Sequence, residues 1–405
     1  MRERTQEKKN KLCTESQFQP IISSIPDDIL LEIFTRLPVR SLMRLSCVST
    51  SWHSLISSPD LVKSHHKRLT EDKENEHRRI VFVKVERQIS MRLGLNLRLG
   101  QFECSLHSAF SCAVPDKIEV TNNCVISFPA ERYGFSTFKI VGSCYGLVLI
   151  MVDEEIMLLW NPATRKYRKL PDFGIKMEHK FSAYSCLSCG IGYDESNDDF
   201  KVLVLSCVFY AGMQHETLAK VYSRKTDSWK KIEDLKYCLI EQGCYYVNGI
   251  FHFTHYDLLS RAAWNITFER KIVGFDLVND IFKEIELPEE VNNYDNWNLG
   301  TLEGCLSLLV CCRGNQVNLW IMKEYGVKES WTKMVVISCF QDPDSNLLSM
   351  PLILSEDGQL LFVTWPSPKL GVYDPNQNSL KYSRFSNFNK DLYGAYVFVE
   401  SLVSP

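Results

Sequence analysis

The run Gly142-Ser143-Cys144-Tyr145 is the part of this chain that comes nearest to a site for bond chemistry. A cysteine in that setting can serve as a nucleophile for acyl transfer, as in thiol proteases, although the Cys that leads their signature is absent here. A thiolate nucleophile needs a lowered pKa, normally supplied by a helix N-terminus and a neighbouring His. Cys144 instead lies between two apolar β-type runs, Phe138–Val141 and Leu147–Val152. His252 and His255 follow roughly 110 residues later, short of the ~130–150 that such enzymes use. We read the run as a tight turn between strands, with Gly142 and Gly146 serving the backbone.

Other candidate groups lead to the same reading. Cys186 and Cys189 form a C-x-x-C pair, but a zinc site needs a second pair at suitable spacing. The carboxylate pairs Asp153-Glu154-Glu155, Asp198-Asp199 and Glu289-Glu290 fall in turn-like stretches and read as solvated. The nine His are dispersed, and His65-His66 read as the exposed end of a helical unit. The sequence has no nucleophile-elbow Ser, no phosphate-cradling Gly-Lys-Ser/Thr loop and no dinucleotide fingerprint. It therefore predicts no catalytic residue, no metal site and no cofactor.

Composition narrows the remaining classes. The chain has 405 residues, 45% of them hydrophobic and 23% charged, with a net charge of −3. That balance describes a globular protein and offers no electrostatic case for nucleic acid or membrane as the main ligand. No apolar run is long enough to span a bilayer. The 15 cysteines are odd in number and scattered through β-type runs, and no secretory signal precedes them. Free thiols in a reducing compartment, cytoplasm or nucleus, are the expectation. Residues 1–22 carry an excess of basic side chains and read as a disordered tail.

The most organised stretch lies at 23–66. Ile29, Leu30, Leu31, Ile33, Phe34 and Leu37 cover roughly 200° of a first helix, wider than one core-facing stripe. Ser24 is placed to cap it, Pro26 suits its first turn, and Asp27 and Asp28 suit its positive end. Pro38 ends that helix and opens a second carrying Leu42, Leu45 and Val48. A third carries Trp52, Leu55 and Ile56 before Pro59 stops it. A unit this small cannot bury so much apolar surface alone. The surplus predicts a protein partner.

The residues of this unit resemble the F-box. The resemblance rests on Ile25-Pro26, Ile29-Leu30, Glu32-Ile33, Arg36-Leu37-Pro38, Ser41-Leu42, Leu45, Cys47-Val48-Ser49, Trp52 and Leu55-Ile56-Ser57. Ile25 stands where the family prefers Leu, and Thr50 where Lys is common. The resemblance implies docking onto the Skp adaptor of a cullin–RING ubiquitin ligase. It assigns Ile25, Pro26, Ile29, Leu30, Ile33, Leu37, Pro38, Leu42, Leu45, Val48 and Trp52 to the adaptor-binding surface or its direct support.

Beyond a charged linker at 67–79, short β-type runs alternate with turn residues from 80 to 405. Five hairpin-like copies share an aromatic, a polar turn and a second strand with lysines. Their lead aromatics, Trp160, Tyr222, Phe275, Trp320 and Tyr373, recur at spacings of roughly 45–62 residues, the range of propeller blades. The fold class expected is mainly β with a small α N-terminal domain, a three-helix unit followed by a six-bladed β-propeller. Two stacked β-sandwiches are the competing architecture. The first blade, about 80–135, is inferred from length alone.

Gly142-Ser143-Cys144-Tyr145-Gly146-Leu147, Trp160-Asn161-Pro162-Ala163-Thr164, Gly192-Tyr193-Asp194 and Asp199-Phe200-Lys201-Val202 resemble the F-box-associated domain, the substrate-recognition domain of a large plant family. The implied protein is a non-catalytic substrate receptor of an SCF-type ligase, with the Skp adaptor, cullin, RING subunit and a target protein as partners. An F-box propeller acting as a scaffold or ligand-binding protein outside a ligase is the alternative. Exposed aromatics and Arg make good binding anchors. Tyr256, Arg261, Trp264, Tyr294 and Trp297 are the candidates for holding a target.

Overall fold

Asp27 and Asp28 open the first helix of this computed structural model, α1 (Asp27–Phe34), where their charge meets the helix dipole. The structure describes residues 25–71, 78–90, 94–105, 109–110, 124–130, 138–175, 183–210, 215–232, 239–262, 265–292, 296–312, 316–338, 347–348, 352–365, 370–383 and 392–405. Pro26 occupies the cap position of α1, and Pro38 that of α2 (Val39–Leu45). Neither needs an N–H there, so proline costs nothing at these starts. Ser24 and the basic tail lie outside the described residues. Ser49 caps α3 (Thr50–Ile56) by accepting a hydrogen bond from Trp52 N at 3.2 Å.

The sequence predicted three helices ended by Pro59, and here the structure differs. Pro59 begins a fourth helix, α4 (Pro59–Glu71), which runs into the stretch expected as linker. Ser58 precedes it and accepts from Leu61 N at 3.3 Å. A proline at the first helical position loses no hydrogen bond, so it starts a helix as readily as it stops one. His65 and His66 are buried rather than exposed. His65 Nε2 donates to the Leu37 carbonyl at 2.8 Å, satisfying an acceptor left open at the end of α1. The chain divides into two compact units at His65/His66.

The rest is β. The described strands form six antiparallel sheets. Four are up-and-down meanders of consecutive strands, starting with β4 (Phe138–Cys144), β5 (Leu147–Val152), β6 (Ile156–Asn161) and β7 (Lys166–Lys169). The next is β8 (Ala183–Asp194), β9 (Asp199–Tyr210), β10 (His215–Ser223) and β11 (Ser228–Ile232). Then come β12 (Leu239–Val247), β13 (Ile250–Ala262), β14 (Asn265–Asp276) and β15 (Ile281–Ile285). The fourth is β16 (Asn296–Leu302), β17 (Cys305–Cys312), β18 (Gln316–Met322) and β19 (Trp331–Ser338). The fifth joins β20 (Leu347–Leu348) and β21 (Ile353–Leu354) to β22 (Leu360–Trp365), β23 (Leu370–Asp374) and β24 (Ser379–Ser383).

The remaining sheet combines the two ends of this unit. β1 (Arg78–Ser90), β2 (Gly94–Ser105) and β3 (Cys124–Ala130) are completed by β25 (Leu392–Val399), which pairs with β1 from Arg78↔Val399 to Lys84↔Leu392. The first blade is thus not made by 80–135 alone. Its first strand comes from the far end of the chain, so the β1–β25 pairing ties the two ends of this unit together within one sheet. β25 also lies beside β4, the corresponding strand of the next sheet. Mainly β after a small helical N-terminus is the fold class found.

The five repeated hairpins are the third and fourth strands of five sheets. Their lead aromatics Trp160, Tyr222, Phe275, Trp320 and Tyr373 are all buried. Three of the five turns share one device. Asn161, Asp276 and Asp374 each accept, through Oδ1, backbone N–H groups two and three residues on. Four residues after the turn's first position comes a left-handed residue: Arg165, Asp227, Asp280 or Asn378. Tyr222 Oη donates to Asp227 at 2.7 Å and Tyr373 Oη to Asn378 at 2.9 Å, so the buried aromatic also fastens its own turn.

A second recurring contact joins neighbouring sheets. Trp229 Nε1 donates to Pro171 O and Trp331 Nε1 to Glu286 O, each at 2.9 Å. In both cases a tryptophan on an outermost strand reaches the segment that leaves the preceding sheet. The outermost strands otherwise carry lysines, such as Lys166, Lys230, Lys283, Lys333 and Lys381, which discourage edge-to-edge pairing.

Candidate functional site

The helical unit buries Leu30, Phe34, Val39, Leu42, Ile56 and Leu61. Trp52 stands edge-on to Phe34 with centroids 5.3 Å apart, so it seals this core from one side. Among the eleven residues expected at the docking surface, Leu30 and Leu42 therefore belong to the interior, at 6% and 0% exposure. Ile25, Leu37, Leu45 and Trp52 are half-buried supports, and Pro26 and Pro38 are exposed.

Three apolar side chains stay open. Ile29 is 50% exposed, Ile33 43% and Val48 65%. Ile29 and Ile33 are one helical turn apart and share a face of α1. The core beneath them is already complete, so nothing within the helical unit needs them. Glu32 and Arg36 pair beside this face, both exposed. Covering the apolar area that remains open would add about half of the roughly 1.5–3 kcal/mol that full burial of such a side chain contributes.

The expected target anchors fare differently. Tyr256 and Trp297 are brought together by a residue that sequence reasoning passed over, Arg270. Its guanidinium lies 4.5 Å from the Trp297 ring centroid and 5.2 Å from that of Tyr256. Tyr256 and Arg270 are direct cross-strand partners on β13 and β14, while Trp297 arrives from β16 of the next sheet. Burial pulls the Arg270 pKa down to about 10.

Trp297 is fully buried among Leu299, Leu308 and Trp320 and is no exposed loop anchor. Strand alternation explains this: position 297 falls on the inward face of β16 rather than in the preceding loop. Arg261 pairs with Ile266 in the β13–β14 ladder, and its side chain falls outside the described set. Trp264 and Tyr294 lie outside the described residues altogether. The signal for Arg270 was weak, a single basic residue in an otherwise mixed strand.

The cysteine turn is settled by its backbone. Cys144 pairs with Leu147, and Tyr145 and Gly146 between them have φ of 50° and 77°. Two residues with positive φ make the two-residue hairpin that matches strand twist. Burial pushes the Cys144 thiol well above its ordinary pKa, the opposite of what a nucleophile requires. Only Gly146 serves the turn. Gly142 sits at a register shift within β4, next to Ile191.

Among the carboxylates, Asp199 is buried rather than solvated. Burial alone would raise its pKa, but Lys201 Nζ at 2.7 Å, Ser223 Oγ at 2.5 Å and Lys225 N at 2.9 Å hold it below the usual range. The group fastens the β8–β9 and β10–β11 turns to each other. Among the described residues no three His, Cys, Asp or Glu gather as a metal site.

Comparison with known proteins gives this arrangement a family. The F-box domain family matches residues 22–64, and the F-box associated beta propeller domain family matches residues 97–403. An F-box/kelch-repeat protein of Arabidopsis thaliana is 27% identical over 399 residues, covering 97% of this chain and 98% of its own length. The F-box protein CPR1 of Arabidopsis thaliana is 26% identical over 398 residues, covering 94% of this chain and 89% of its own. A chain of the nidogen/laminin complex aligns with a TM-score of 0.41 at 9% identity, covering 80% of this chain and 99% of its own. That likeness is too distant to bear on the fold. With three quarters of its length matched to the propeller family and its helical unit to the F-box, the chain belongs to the F-box proteins with an F-box associated β-propeller domain.

Proposed function

We propose that this protein is the substrate receptor of an SCF-type ubiquitin ligase, working in the cytoplasm or nucleus. The helical unit docks on the Skp adaptor, and through it on cullin and the RING subunit. The propeller holds a target protein for ubiquitination and proteasomal degradation. The receptor supplies no reacting group. It acts by proximity, raising the effective concentration of target lysines near activated ubiquitin.

The observation that carries this reading is the open apolar set Ile29, Ile33 and Val48 on a unit whose own core is closed. In the F-box family such a surface is the adaptor seat. The test is co-purification of the full chain with the adaptor, comparing wild type with an Ile29→Asp/Ile33→Asp/Val48→Asp variant. Loss of the adaptor with an unchanged circular dichroism spectrum supports the reading. Retention of the adaptor by that folded variant overturns it. Reconstitution with cullin, RING subunit and ubiquitin-conjugating enzyme then separates a ligase receptor from a scaffold, which binds the adaptor without promoting ubiquitin transfer.

A further inference from the structure

A cavity of about 20 Å³ lies where β4, β5, β8, β12 and β25 meet. One water molecule needs roughly 10–15 Å³ of such space, and nothing much larger fits here. Val141, Met151 and Cys189 supply apolar wall. Lys139, Tyr245 and Tyr396 supply polar wall, one each from β4, β12 and β25. Apolar cavities of this size stay dry, whereas cavities with two to four polar partners fill.

The polar groups have complementary capacities. Tyr396 Oη donates to the Val141 carbonyl at 2.9 Å, which leaves its oxygen free to accept. Burial raises the pKa of Tyr396 to about 12 and pushes that of Tyr245 up as well, so both phenols stay protonated. Burial also draws the Lys139 pKa down. Residue 243 must be small for this site to exist: a Cβ there would come within 2.9 Å of Tyr245 Oη and its ring.

We propose that this cavity is an internal water site, in which one ordered molecule accepts from Lys139 and Tyr245 and donates to Tyr396. The water then couples the strand that closes the ring, β25, to two other sheets near the middle of the propeller. Lys139 and Tyr245 serve as positioning residues for the closure.

The test is a crystal structure of the full chain at a resolution that shows ordered solvent, with a parallel crystal soaked in bromide. One solvent peak within hydrogen-bond distance of at least two of the three groups, with no anomalous signal, is the expected result. A dry cavity overturns the proposal, as does a bromide peak, which makes the occupant a halide. In solution, Lys139→Met and Tyr245→Phe each lower the thermal midpoint by a few degrees if water is bridged. A midpoint that holds or rises in both variants means that the site is better apolar, and overturns it equally.

Discussion

Asn161 Nδ2 donates to the carbonyl oxygen of Val403 at 2.7 Å, 242 residues away in sequence, from a side chain that is fully buried. The same amide reaches Ser401 O at 3.0 Å, while Oδ1 accepts from Ala163 and Thr164 in its own turn. One asparagine thus shapes a hairpin and receives the end of the chain. Glu400 adds an ion pair to Arg79 at 3.2 Å, and Ser143 Oγ donates to Val397 O at 2.9 Å. The ring is held closed by a cluster of side-chain bonds next to the β1–β25 ladder.

This arrangement predicts that Asn161→Ala destabilises the propeller by about 2–4 kcal/mol, because the buried carbonyls of Ser401 and Val403 lose their donor. Deleting residues 400–405 should cost a similar amount. Combined, the two changes should fall well short of additive, since they remove the same contacts. Urea unfolding of the four proteins measures this coupling.

Gly146 is confined twice over. Its φ is +77°, and a Cβ would come within 2.2 Å of Ser401 Oγ and 2.7 Å of Val399 O. Gly249 has φ +81° in an equivalent turn but faces open space. Gly249→Ala should therefore cost about 1 kcal/mol from backbone strain alone, and Gly146→Ala clearly more. A ranking in the opposite order by thermal denaturation contradicts the account of the closure.

In the helical unit, Leu42→Ala should destabilise by about 2–5 kcal/mol as a cavity forms in a closed core. Val48→Ala should leave stability within about 0.5 kcal/mol, since its side chain already faces solvent. Chemical denaturation of the full chain, followed by its helical signal, distinguishes the two roles.

His252 gives a pH prediction. It is buried, with Nε2 2.7 Å from Tyr325 Oη, and burial lowers its pKa to about 4. In the unfolded chain the value returns to about 6.5. The unfolded state therefore binds the proton first, and stability declines as pH falls from about 6.5 towards 4. A His252→Gln variant should show a flatter stability profile across that window, measured by denaturation at successive pH values.

The cysteines give a chemical check. Among the described residues Cys47 and Cys311 are exposed, whereas Cys189, Cys207 and Cys244 are buried and Cys144 has a raised pKa. Brief alkylation of the native protein, read by mass spectrometry, should modify Cys47 and Cys311 ahead of Cys189, Cys207 and Cys244, and leave Cys144 unmodified until the chain unfolds.

Much of this protein is written in local pattern. The apolar arc of α1, the prolines at helix starts and the repeated aromatic–turn–strand units are all short-range features, and each gave a correct element. Local chemistry suffices there because, in a turn such as Asp276–Asp280, the Asp276 side chain makes its hydrogen bonds within three residues. Pro59 was ambiguous for the same reason: its effect depends on whether the next residues continue a helix, which in α4 they do.

What tertiary structure alone decided is which side of each element faces inward and which distant segments meet. Leu30 and Ile29 are adjacent and equally apolar, yet one fills the core and the other faces solvent. Trp297 looked like a loop anchor until the register of β16 turned it inward beneath Arg270. The pairing of β25 with β1, and the capture of Val403 by Asn161, join residues hundreds of positions apart. Such contacts follow from closing a ring whose strands must all be paired, a global constraint that no local run of residues expresses.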